Sequence, residues 1–209
     1  MRSLALPAVA SLALASQSAV AAVETWSPFK QLTSGVRWYV NVWNGTIGSD
    51  TTLLGNWTFS LTWTSVPGYQ PTLQVGFNPA QGSGGASAAV NASMQVANLP
   101  AGSGVGPGTA FSGAGTRSVA AAIGSGPGLF SPTGTGYFGF SFREAGQVHY
   151  GWSKLVGGAG GAMTLQQVVY ESTADTTIAV GSLGIPAPGA LGAALLLGGL
   201  GKRRRRDLH

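Results

Sequence analysis

Side-chain alternation with a period of two recurs along this chain and limits what it can fold into. Val36, Trp38, Val40 and Val42 alternate with Arg37, Tyr39 and Asn41. Trp57, Phe59, Leu61 and Trp63 alternate with Thr58, Ser60 and Thr62. Leu73, Val75 and Phe77 follow the same rule, as do Val90, Ala92, Met94 and Val96 against Asn91, Ser93 and Gln95. Phe138, Phe140 and Phe142 alternate with Gly139 and Ser141, and Val148, Tyr150 and Trp152 oppose His149 and Gly151. A Val-rich run covers 165–171. Extended, each run presents one buried and one wetter face. No segment between the two chain ends has a convincing period of 3.6, so helices are not expected there.

Turn formers separate the runs. Glu144-Ala145-Gly146 predicts a short hairpin with Gly146 in the left-handed region, and residues 157–161 predict a second loop. Residues 79–87 and 101–136 are rich in Gly, Ser, Ala and Pro, with a short strand expected over 119–123. No repeat of 20–50 residues is visible, which removes solenoids and propellers. The expected fold is all-β: an antiparallel β-sandwich or jelly-roll-like domain over 23–180. It is flanked by an N-terminal signal helix over 1–22 and a hydrophobic C-terminal helix within 181–209. About 160 residues suffice to bury a core without disulfides.

Composition narrows the class further. The 34 glycines lack a G-X-Y period, which excludes collagen. With 44% hydrophobic and 8% charged residues, the chain is not of the disordered type. The absence of Cys removes disulfide frameworks, Cys-ligated zinc and thiol catalysis. The formal charge of +5 comes from the ends: Arg2, then Lys202, Arg203, Arg204, Arg205 and Arg206. Between them Lys30, Arg37, Arg117, Arg143 and Lys154 balance Glu24, Asp50, Glu144, Glu171 and Asp175. A neutral domain gives no electrostatic reason to expect nucleic-acid binding.

Both ends read as addresses. Residues 1–22 carry Arg2, an apolar run over 4–15 and the small-residue pattern Ala19-Val20-Ala21, the layout of a secretory signal peptide cleaved after Ala21 or Ala22. At the other end Pro186-Ala187-Pro188 precedes an apolar stretch over 189–201 and the basic cluster over 202–206. As a helix that stretch spans about 20 Å, short of a hydrocarbon core of about 30 Å. It is a marginal stop-transfer segment whose cations stay on the cytoplasmic side. The prolines keep the preceding backbone extended, where a processing enzyme can grip it.

Pro186-Ala187-Pro188, the Gly/Ala/Leu-rich stretch and Lys202, Arg203, Arg204, Arg205 and Arg206 together resemble a PEP-CTERM sorting signal. Ala187 stands where that family usually has Glu. The resemblance implies an exosortase-type membrane protease as partner, transient inner-membrane insertion and release to the cell surface. A plain C-terminal membrane anchor is the alternative. A second resemblance covers about residues 133–180: Tyr137-Phe138-Gly139-Phe140-Ser141-Phe142, His149-Tyr150-Gly151-Trp152 and Tyr170-Glu171 are similar to a region common in secreted bacterial proteins with this tail. It implies an extracellular β-sandwich, often lectin-like in shape, and supplies no reaction.

Candidate chemistry is sparse. His149 is the only His ahead of the tail, and no nucleophile-elbow motif accompanies it, so a hydrogen bond to backbone is its expected role. A His-based metal site lacks a second His, no acid cluster suits calcium, and no cofactor is expected. Glu144 and Glu171 are a formal glycosidase pair, but a solvated hairpin carboxylate and a strand-end ion pair with Arg143 or Lys154 account for them. Trp38, Trp57, Trp63 and Trp152 are expected in the core. Tyr39 and Trp43, on the polar side of their strand, are the candidate ligand-contacting residues. Three Asn-x-Ser/Thr sequons, at Asn44, Asn56 and Asn91, are expected by chance in so Asn/Ser/Thr-rich a chain. The resulting expectation is a secreted, non-enzymatic cell-surface or extracellular-matrix protein, with exopolysaccharide as candidate partner. A carbohydrate-binding, lectin-like module is the alternative, and a polysaccharide hydrolase the third.

Overall fold

In the computed structural model, residues 22–49, 57–78, 86–112, 119–121, 123–124 and 128–182 are described. They contain fourteen antiparallel-paired strands: β1 Val23–Trp26, β2 Lys30–Leu32, β3 Arg37–Asn41, β4 Thr46–Gly48, β5 Phe59–Thr64, β6 Thr72–Phe77, β7 Ser87–Ala89, β8 Gly104–Val105, β9 Phe111–Ser112, β10 Val119–Ala121, β11 Thr135–Glu144, β12 Gln147–Gly158, β13 Ala162–Glu171 and β14 Ile178–Ala179. A seven-stranded sheet runs β1-β13-β12-β11-β7-β9, with β2 also pairing β13. A five-stranded sheet runs β10-β6-β5-β3-β4, and β14 and β8 form a two-stranded ladder. The fold class is all-β, as the alternation predicts. Of the expected signal helix over 1–22 and C-terminal helix within 181–209, residues 1–21 and 183–209 lie outside the described residues.

Both large sheets feed one buried cluster. Trp38, Val40, Phe59, Leu61, Trp63, Leu73, Val75 and Phe77 come from the five-stranded sheet, and Phe138, Phe140, Phe142, Leu165, Val168 and Tyr170 from the larger one. Phe59 meets Phe138 edge-on, with ring centroids 5.4 Å apart. Removing side chains of this size from water stabilises the fold by about 1.5–3 kcal/mol each. Trp38, Trp57, Trp63 and Trp152 are all buried, as expected.

The larger sheet departs from a simple one-sided pattern. Val105, Tyr150, Trp152, Val169, Ile178 and Val180 form a second cluster. Tyr150 and Trp152 therefore alternate with His149 and Gly151 as predicted, but both faces of β12 are buried. The register explains how. Phe142 opposes His149, Phe140 opposes Gly151, and Gly139 opposes Trp152. Large rings sit across from small or polar residues on each face, so both faces fill without crowding. Directly opposed side chains share a face.

The β11–β12 hairpin turns through Ala145 (φ 46°) and Gly146 (φ 84°), so both turn residues are left-handed, as a two-residue hairpin loop of matching twist requires. The predicted 157–161 loop is shorter than expected: Gly157 and Gly158 continue β12, and a 3-10 turn at Ala159–Gly161 makes the connection. One predicted strand is absent. Val90 and Val96 make only a bridge to each other. Between them the backbone turns because the Asn91 Oδ1 accepts from the N–H groups of Ser93 (2.9 Å) and Gln95 (3.1 Å). An Asn side chain that satisfies local backbone competes with the ladder. Met94, read as inward-facing, is instead exposed at φ 57°.

Candidate functional site

The most chemically varied surface lies where the N-terminal strand, the β3–β4 turn and the end of β13 meet. Asn41 builds the turn: its buried Oδ1 accepts from the N–H groups of Trp43 (3.0 Å) and Asn44 (3.3 Å). Val42 N–H donates to Thr58 Oγ1 at 3.1 Å. This fixes Trp43 over the end of the core. Its ring stands edge-on to Phe142 (5.4 Å), Tyr170 (5.3 Å) and His149 (5.7 Å).

Beside Trp43 opens a notch of about 200 Å³ lined by Glu24, Trp26, Trp43, Asn44 and Tyr170 among others. Trp26 lies half-buried against Gly45, and its enclosed indole N–H meets no acceptor among the described residues. The electrostatics are mildly negative. Burial pushes the Tyr170 hydroxyl up to about 12, and the carboxylates of Glu24 and Glu144 push in the same direction. Glu24 and Asn44 are exposed at the rim. The arrangement offers aromatic surface, an amide and a carboxylate within one small depression.

The other candidate positions fall elsewhere. Tyr39, the second candidate ligand contact, is buried on the face of β3 opposite Trp38 and Val40, edge-on to Trp57 at 5.2 Å. Its ring offers no open platform. His149 is buried, stacked on Phe142 at 5.5 Å, with Nδ1 3.1 Å from the Glu171 carbonyl oxygen. That is the backbone hydrogen bond expected of it. Glu144 ends β11 on the Phe142 face and is exposed. Glu171 ends β13 on the face opposite Tyr170, is buried, and its Oε1 accepts from Thr173 N–H at 2.9 Å. The two carboxyl groups therefore belong to opposite faces of one sheet and do not oppose each other across a cleft. Pro186, Ala187, Pro188, Lys202, Arg203, Arg204, Arg205 and Arg206 lie outside the described residues.

A larger groove of about 720 Å³ sits at the β12–β13 turn, lined by Gln31, Thr33, Ser34, Trp63, Ser65 and Gly161 among others. Trp63 Nε1–H donates to the Gly161 carbonyl at 2.8 Å and pins that turn to β5. Among the described residues no three His, Asp or Glu gather as a metal site, and no helix is long and apolar enough to cross a membrane.

No protein-family model, curated protein or solved structure matches this chain. The site is thus read from its own residues. Trp26 and Glu24 are not singled out as site residues by sequence, and Tyr170 is noted there only within the Tyr170-Glu171 resemblance. They meet Trp43 only because β1 pairs with β13, Glu24 opposite Tyr170 and Trp26 opposite Val168.

Proposed function

We propose that this chain is a secreted, non-enzymatic cell-surface or extracellular-matrix protein, delivered through its PEP-CTERM-like tail. Its domain is a β-sandwich of lectin-like outline. The observation that carries the reading is the tail itself: Pro186-Ala187-Pro188, the apolar stretch and the cations of Lys202 to Arg206. Its placement is in keeping with removal. The last strand, β14, pairs with β8 and buries Ile178 and Val180 before the tail begins. At the other end, β1 begins at Val23, directly after the expected signal peptide. An exosortase-type protease would act near Pro186–Pro188, with the basic cluster holding the segment in the inner membrane meanwhile.

Intact-mass analysis of the native protein from envelope and medium tests this. A mass that begins at Ala22 or Val23 and ends near residues 185–189 is expected. A mass retaining Lys202 to Arg206 overturns the sorting reading and makes the tail a permanent short anchor.

A second reading, a carbohydrate-binding module, is favoured by the Trp26–Trp43 notch. Aromatic faces stack on sugar rings, and an amide and a carboxylate at the rim can bond hydroxyls. Affinity electrophoresis through gels containing exopolysaccharide is the test. Retardation lost in Asn44→Ala and Glu24→Gln, which leave the core intact, supports it. Unretarded migration of the wild-type protein overturns it.

A further inference from the structure

We propose that Asn44 is a self-modifying site, which deamidates through a cyclic imide with Gly45 and is promoted by the Thr46 hydroxyl. Asn44 is exposed, and it is the only Asn in the chain followed by Gly. Gly45 presents no side chain to crowd its nitrogen, and its N–H is engaged by no acceptor among the described residues. The Asn44 Oδ1 already accepts two hydrogen bonds, from Thr46 Oγ1–H at 2.6 Å and Thr46 N–H at 3.2 Å. Both donors withdraw electron density from the side-chain carbonyl. Both are also placed to stabilise the oxyanion that forms when Cγ is attacked, the same logic by which fixed donors lower acyl-transfer barriers.

The step balances without any cofactor. The Gly45 nitrogen attacks Asn44 Cγ, an N–Cγ bond forms and the Cγ–Nδ2 bond breaks. Nδ2 leaves as ammonia, taking the proton released from Gly45 N–H. Solvent water then opens the imide at either carbonyl, leaving aspartate or isoaspartate at position 44. Asn91, followed by Ala92, and Asn98, followed by Leu99, lack the unhindered nitrogen, and Asn78 precedes Pro79, whose nitrogen carries no hydrogen. The product places a new carboxylate on the rim of the Trp43 notch, which Glu24 also lines. An extracellular protein that is not resynthesised would accumulate this charge with age.

The test is incubation of the full chain at mildly alkaline pH, followed by peptide mass mapping. Asn44 is expected to gain the mass of deamidation ahead of Asn91 and Asn98 in the same digest. Thr46→Val is expected to slow conversion about fivefold, the worth of one ordinary hydrogen bond, and Thr46→Ser to restore it. Thermal unfolding checks that each variant is folded. Conversion of Asn91 or Asn98 before Asn44 overturns the proposal, as does an Asn44 that stays unconverted throughout. An unchanged rate in folded Thr46→Val also overturns it.

Discussion

Gly151 lies directly across the β11–β12 ladder from Phe140, and the Phe140 ring occupies the space where a Gly151 side chain would stand. A Cβ there would also come within 2.5 Å of the Val169 carbonyl oxygen, which is backbone and cannot move aside. Gly151→Ala is therefore expected to destabilise the fold by about 3 kcal/mol, the upper range for overpacking. Urea denaturation measures it, and a loss under ~0.5 kcal/mol would show that the sheet yields more easily than this packing implies.

Trp63→Phe removes the donor that meets the Gly161 carbonyl. It also leaves part of the indole volume empty, at a residue that is 1% exposed. The combined cost is about 2 kcal/mol. Hydrogen exchange should show the Ala159–Gly161 turn opening faster than the rest of β12 and β13. Uniform acceleration across the sheet would mean that the indole bond does not hold the turn.

Ser87 and Ser141 share a buried hydroxyl pair at 2.7 Å, linking β7 to β11. Either single Ala substitution strands the partner hydroxyl and should cost about 1–2 kcal/mol. The double substitution should cost no more than either single one. A double-mutant cycle with additive losses would refute the coupling.

Alkaline stability follows from the buried phenols of Tyr150 and Tyr170. Tyr170 ionises at about 12 in the folded state against 10.0 ordinarily, because burial and then the carboxylates of Glu24 and Glu144 disfavour the phenolate. Tyr150 is raised as well, by burial first and then by Asp175, against the opposing pull of Arg143. Above pH 10 the unfolded chain gives up these protons and the folded one keeps them. Their contribution to stability is therefore constant below the ordinary tyrosine range and is lost as pH climbs from 10 toward 12. Phenolate absorbance against pH, with Tyr170→Phe lacking the latest-ionising component and showing a shallower alkaline decline, is the measurement.

Most of the strands could be read from the sequence because their faces differ. Phe59, Leu61 and Trp63 against Ser60 and Thr62, or Leu73, Val75 and Phe77, declare a core side by chemistry alone. Asn91 to Gln95 carried the same alternation and became a turn, because Asn91 spends its side chain on local N–H groups. The second cluster around Trp152 was hidden for a different reason: β8 and β14 are two residues each, too short to show any period. The candidate site was half legible. Trp43 announced itself as an aromatic on the polar side of a run. Tyr39 carried the same signal and is buried against Trp57, a contact across separate segments that no local pattern encodes. Trp26, Glu24 and Tyr170 belong together only through the pairing of the first strand with the thirteenth.

The β11–β12 register also gives the molecule a direction. Phe142 and His149, beneath Trp43, lie at the hairpin end of that ladder. The last turn before the tail, at Gly181, lies beside the Tyr137 hydroxyl and Ala101. From Tyr137 to Phe142 the strand advances about 17 Å. A domain suspended from a membrane or a surface by its C-terminal residues would thus hold the Trp43 notch, and any charge gained at Asn44, toward the medium. The hydroxyl-bearing groove at Gly161 would be on the half nearer the point of suspension.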